Sequence, residues 1–207
     1  MASPAAIEGG RAGGRAGEPP GAPARPALAR SAPCVAALAA LAVYVATLAP
    51  TIGFGDSPEL SAAALSLGVP HPTGYPLLML IGHGFSRIVA FGDPAWRLNL
   101  LCALLTAGAV GLSAAFVQRL TGRAVAALVA GLALAFSPAV WAHANLFEVY
   151  ALHLLFVAGL LLLWLRYEQA PTAPRLRALV FVAGLSVTHH LMIGLVLPIL
   201  ALSLIHI

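Results

Sequence analysis

The chain has 207 residues, 60% of them hydrophobic and 9% charged, with a mean hydropathy of +0.93 and a formal net charge of +4. A soluble domain carries about 25% charged residues, so this chain has too few polar side chains to cover a globule in water. It reads as an all-α, multi-pass integral membrane protein whose partner is the lipid bilayer. All eleven basic residues are arginine, and the wealth of Ala, Gly and Pro suggests a high-GC coding sequence and a bacterial inner membrane. The pI near 9.7 comes from arginines in loops, which report topology rather than a nucleic-acid partner. Cys34 and Cys102 have no CxxC or metal-type spacing and read as small buried hydrophobes.

Residues 1–33 are Gly, Ala, Pro and Arg with scattered Glu and no apolar period, the composition of a disordered tail. Four arginines then precede an apolar run at 34–49. Pro50 and Thr47 are poor neighbours for a cleavage site after Ala49, so the run is expected to be an uncleaved anchor with its N-terminus in the cytoplasm. Further apolar runs follow at 76–91, 98–118, 124–141, 149–165 and 178–207. If all six crossed, the basic linkers 119–123 and 166–177 would both lie outside, against the positive-inside bias. The 76–91 run is short and interrupted by Gly82, His83, Gly84 and Arg87. Read as interfacial or re-entrant, it leaves about five spans and returns both linkers to the cytoplasm.

That topology makes 51–97 one external loop, and 142–148 a second. Asp56, Glu59, His71, His83, Asp93, Arg97, His143 and Glu148 then share one membrane face, with His189 and His190 in the outer half of the last run. Within the first loop Ser57 is the expected N-cap and Pro58 the first residue of a short amphipathic helix closed by Gly68. The stretch Val69-Pro-His-Pro-Thr-Gly-Tyr-Pro76 follows as a stiff turn carrying His71 and Tyr75, and Pro76 opens the interfacial helix. Asp56, flanked by glycine and seated above the first span, is the acid whose cost there points to a function. Glu59 reads either as a second functional acid or as a complement to the helix dipole.

Several strings recur in order along 40–200: Tyr44-x-x-x-Leu-Ala-Pro-Thr51, Gly55-Asp-Ser-x-Glu-Leu60, Leu67-Gly-Val-x-His-Pro-x-Gly-Tyr-Pro76, Trp96-Arg-x-Asn99, Phe136-Ser-Pro-x-x-Trp141, Glu148-Val-Tyr-Ala-Leu152 and Gly184-Leu-Ser-x-Thr-His-His190. Together they resemble the DUF2723 family of multi-pass proteins, which includes animal O-mannosyltransferases. The resemblance implies the N-terminal part of a GT-C-type glycosyltransferase over 34–207. Such enzymes take a sugar from a polyprenyl-phosphate carrier and pass it to a protein or glycan acceptor outside the cytoplasm. Their characteristic acid lies just after the first span, where Asp56 falls. Pro58, Thr73 and His153 depart from the family's usual Gly, Pro and Asn, which touches turn shape and one in-span hydrogen bond.

On that footing the expected catalytic pair is Asp56 as base and Glu59 as the acid that tunes it. His71, Tyr75, Arg97, Glu148, His189 and His190 are the expected substrate-binding residues. Arg97 has the planar fork to hold a lipid phosphate, or else snorkels to head groups. Glu148 is either a site residue or an interface charge. His189 and His190 bind sugar or phosphate, or make structural hydrogen bonds; His83, His143 and His153 read as locally satisfied. No cofactor is expected beyond the lipid-phosphate donor, and the pattern neither demands nor forbids a divalent metal. A transporter and a non-catalytic scaffold are the rival classes; no internal repeat supports the first. The run ending at Ile207 has no cap, so the segment is expected to belong to a longer chain, and His206 is given no role.

Overall fold

The computed structural model describes the backbone of residues 27–205 and the side chains of 31–203. The expected tail at 1–26 and His206 lie outside that range. Residues 27–33, expected to belong to the tail, instead form the first turns of a helix. The described residues contain nine α-helices and no strand: α1 Ala27–Ala46, α2 Ser57–Ser66, α3 Pro76–Ile88, α4 Pro94–Thr121, α5 Ala124–Ala135, α6 Pro138–Ala144, α7 Val149–Gln169, α8 Ala173–Val187 and α9 Leu197–Ile205, with a 3-10 turn at Leu191–Leu195.

Helix α4 is the hub. Asp93 caps its start by accepting from the N–H groups of Ala95 (2.9 Å) and Trp96 (3.3 Å), and Pro94 fills a position needing no donor. Gly122 ends it at φ +72°. One face of α4 meets α1 through small side chains: Ala32, Ala36, Ala40 and Tyr44 on α1 are fully buried, at four-residue intervals, with Ala103, Ala107, Val110 and Ala114 in the same cluster. Small residues let helix backbones approach closely in an apolar medium. At Gly131 of α5 a Cβ would stand 3.0 Å from that of Ala36 and 3.1 Å from that of Ala114. The other face of α4 packs on α7, and α3 with α2 closes over one end. Cys102 lies in that core as expected, whereas Cys34 is exposed on α1.

Two helices are long and apolar enough to cross a bilayer, α4 with 28 residues and α7 with 21; α5 and α6 make a third span if their bent pair is counted as one. The expectation of about five spans is therefore corrected to two or three by length and composition among the described residues. Two of the expected spans are broken. The 124–141 run bends by 68° between α5 and α6. Ser137, ahead of Pro138, takes an extended conformation (ψ 136°), as residues before proline do. The carbonyl of Ala135 at the break accepts instead from the buried Tyr44 hydroxyl at 2.8 Å. The last run stops at Val187, because His190 is extended (φ −148°, ψ 130°), and resumes as the 3-10 turn and α9. The described apolar part of α1, Ser31–Ala46, is only 16 residues long. Helix α3 has 13 residues, about 20 Å at 1.5 Å each, and does not qualify as a span.

Candidate functional site

Helix α2 begins one residue earlier than expected. Ser57 is its first helical residue, buried, while Asp56 takes the N-cap position without a side-chain capping bond. Glu148, from the α6–α7 loop, packs against the start of α2, where the backbone N–H groups of Asp56 and Ser57 act to lower its pKa. Gly55, at φ +72°, brings the backbone so close that a Cβ there would lie 3.6 Å from Glu148 Oε1. Glu148 is only 8% exposed. Burial, with the nearby Asp56 charge, holds its carboxyl above the usual carboxylate range.

Asp56 and Glu59 leave the start of α2 toward the turn carrying His71. Glu59 grips that turn twice: Oε1 accepts the His71 backbone N–H at 2.7 Å, and Oε2 lies 2.9 Å from His71 Nδ1. A carboxylate only accepts, so Nδ1 carries the proton and Nε2 is left as the working nitrogen. It faces the Tyr75 hydroxyl at 3.3 Å and Asp56 Oδ2 at 3.9 Å. The bond to Glu59 raises the His71 pKa, and the charges of Glu59, Asp56 and Glu148 add to it against desolvation. Reciprocally, the His71 imidazole and then its backbone N–H lower the Glu59 pKa. Both acids stay accessible, Asp56 with 64% and Glu59 with 52% of the side chain exposed. Tyr75 is buried, which together with the Asp56 charge raises its phenol pKa.

Behind Tyr75 runs a file of rings. Tyr75 stacks on His190 (centroids 5.6 Å apart, 23° between planes), and His190 lies 5.4 Å from His153. The break after α8 is what delivers His189 and His190 here. The Nε2–H of buried His189 donates to the Val149 carbonyl at 2.9 Å, and His190 Nδ1 accepts the Met192 N–H at 3.1 Å, capping the 3-10 turn. Among the described residues His189 Nδ1 has no partner.

The structure thus brings together seven of the eight expected site residues: Asp56, Glu59, His71, Tyr75, Glu148, His189 and His190. Arg97 is placed differently. Its Nε, Nη1 and Nη2 donate to the carbonyls of Phe91 (3.0 Å), Ser86 (3.2 Å) and Gly92 (2.8 Å). Three of its five donors therefore hold the end of α3 and the loop after it. The sequence reading missed two members. His153, expected to be satisfied locally, closes the ring file. Asn99, fully buried, donates from Nδ2 to the carbonyls of Ala49 and Thr51 (both 3.0 Å) and accepts the Phe147 N–H at 2.8 Å. It fastens the loops before α2 and before α7 to α4, and its signal was an amide inside an apolar run. His83 ties α3 to α2 through the Ala64 carbonyl at 3.0 Å, and His143 rests on the Tyr150 ring at 4.3 Å. Among the described residues no group of three or more His, Cys, Asp or Glu side chains is arranged to hold a metal ion.

Comparison with known proteins gives the arrangement a context. The family model described as the N-terminal domain of protein O-mannosyl-transferase TMEM260 matches residues 56–206. The Mus musculus protein O-mannosyl-transferase TMEM260 is 40% identical over 132 residues, 64% of this chain and 19% of the mouse protein. The Dictyostelium discoideum protein O-mannosyl-transferase tmem260 is 29% identical over 129 residues, 61% of this chain and 16% of its own length. The chain thus matches less than a fifth of the length of these relatives. Both are eukaryotic, so a bacterial membrane rests on composition alone. No solved structure matches the chain.

Proposed function

The chain belongs to the TMEM260 N-terminal domain family, and on that premise we propose that it supplies the acid–imidazole half of a GT-C-type membrane mannosyltransferase. The proposed reaction moves a mannosyl group from a polyprenyl-phosphate carrier to a hydroxyl of a protein or glycan acceptor on the extracytoplasmic face. The N-terminus then lies in the cytoplasm. The five crossings inferred from the arginines would require α1 and the broken runs at 124–141 and 178–207 to cross as interrupted or short spans.

In this reading Asp56 takes the proton of the acceptor hydroxyl. The hydroxyl oxygen forms its bond to the anomeric carbon as the bond from that carbon to the phosphate oxygen breaks. The leaving group is the polyprenyl phosphate, whose growing charge is met by the Nε2–H of protonated His71, the imidazolium that its bond to Glu59 favours. Glu148 and Asn99 position the loop bearing Asp56, and Tyr75 and His190 form the wall for the sugar, with buried His189 behind them. Arg97 shapes the rim through the end of α3, with two donors left for a phosphate. No further cofactor enters this scheme.

The observation that carries the reading is the Glu59–His71 pair, which leaves Nε2 facing the Tyr75 hydroxyl and Asp56, in a chain of this family. The test is sugar transfer from polyprenyl-phosphate mannose by the full-length protein carrying Asp56→Asn. Transfer should be lost while the protein still inserts and folds, and undiminished transfer would remove Asp56 from the chemistry.

A further inference from the structure

At the end of the bundle away from the carboxylates, α4 and α7 run out and α8 begins. A cavity of about 400 Å³ opens there, lined by Arg119, Leu163, Arg166, Pro174, Arg175 and Ala178. Three guanidinium groups from three helices border one space. Two are held in place: Arg119 Nε donates to Gln169 Oε1 at 2.6 Å, and Arg175 Nη1 donates to the carbonyls of Arg166 (2.9 Å) and Ala170 (2.8 Å). Among the described residues no carboxylate lies within 4 Å of any of the three. Glu168, their neighbour in sequence, receives the Ser203 hydroxyl at 3.0 Å instead.

The helix start at this cavity has the wrong charge for a self-contained protein. The first turn of a helix favours acids, yet α8 has none there, while Arg175 and Arg177 fall in its opening residues. An anion from outside would satisfy both the arginines and the helix end. The remaining lining, Leu163, Pro174 and Ala178, is apolar, which suits an amphiphile and offers nothing to a free inorganic anion.

We propose that this cavity binds the phosphodiester head group of an anionic membrane phospholipid, with an acyl chain along Leu163 and Ala178. Guanidinium forks grip phosphate oxygens in pairs, and basic pockets between spanning helices are suited to lipid head groups. The site is independent of sugar transfer.

The test measures retained lipid by native mass spectrometry after the protein is extracted from vesicles of equal parts phosphatidylcholine and phosphatidylglycerol. Phosphatidylglycerol should be retained preferentially. Arg166→Gln and Arg119→Gln should each cut that preference about fivefold, whereas Arg123→Gln, an exposed arginine on the same face outside the cavity, should leave it unchanged. Equal retention of the two lipids overturns the proposal. So does an equal loss from Arg123→Gln, which would show a diffuse basic belt, or release of the lipid by excess inorganic phosphate, which would show a simple anion site.

Discussion

The two ends of this bundle are built in opposite ways. At the carboxylate end the functional groups are tied by contacts between distant parts of the chain: Asn99 to Ala49, Thr51 and Phe147, Glu148 to the start of α2, His189 to Val149. At the arginine end the bonds are mostly local, Arg175 to Arg166 and Ala170, Arg177 to Ala173, Thr121 to Val117, with Arg119–Gln169 joining two helices. The difference follows from the chemistry. Acids and imidazoles that must share protons need relative positions held to a fraction of an ångström, and only a folded framework provides that. Arginines bordering a cavity at helix ends are placed by those ends, and one or two bonds to nearby groups are enough to hold them.

The largest effect should separate the two ends by activity. Asp56→Asn in the full-length protein is expected to lower transfer by about 10²–10⁴-fold, the usual worth of a positioned acid or base, while Arg123→Gln leaves the rate within about twofold. A comparable loss from Arg123→Gln would erase the contrast.

Next comes stability. Asn99→Ala removes three hydrogen bonds from a fully buried amide and leaves the Phe147 N–H and two loop carbonyls without that partner. A cost of about 3 kcal/mol is expected, read as a lowered unfolding temperature in detergent with transfer falling in parallel. Tyr44→Phe should cost less, about 1–2 kcal/mol, by stripping the Ala135 carbonyl of its donor at the α5–α6 break. If Tyr44→Phe proves the more damaging, the bend rather than the loop staple is the main constraint.

The smallest effect is a pH shift. Because Glu59 raises the His71 pKa, the part of the pair's stability due to His71 is complete below the ordinary histidine pKa and fades as pH rises through the raised value. The Glu59 pKa is lowered, so its part is complete above the ordinary carboxylate pKa and fades as pH falls through the lowered value. The pair is strongest between about pH 4.5 and 6.5. Glu59→Gln should therefore move the alkaline limb of the pH–rate profile to lower pH. An unmoved limb would mean that His71 does not titrate in the reaction.

Much of this was readable along the chain because it depends on neighbours in sequence. Pro76 and Pro94 open α3 and α4, Gly122 closes α4, and the turn at 69–76 presents His71 and Tyr75. Reading Ser57 as the cap failed because the helix starts one residue earlier, with Asp56 at the N-cap and Glu148, about ninety residues away, packed against that start. The Ser137-Pro138 break was legible in principle, since a residue before proline resists the helical region; hydropathy alone hid it. Nothing in the last apolar run announced a stop at Thr188–His190, where the halt delivers two imidazoles to Tyr75.

What the amino acids decided by themselves was the medium and the class of structure: apolar runs with almost no charge must be helical in lipid, because their backbone groups find no partners there otherwise. The proton-sharing geometry was decided only by the tertiary fold. Hydrogen bonds of about 3 Å between Glu59 and His71, and between Asn99 and three distant backbone groups, require helices already packed around α4, and no local pattern encodes that packing.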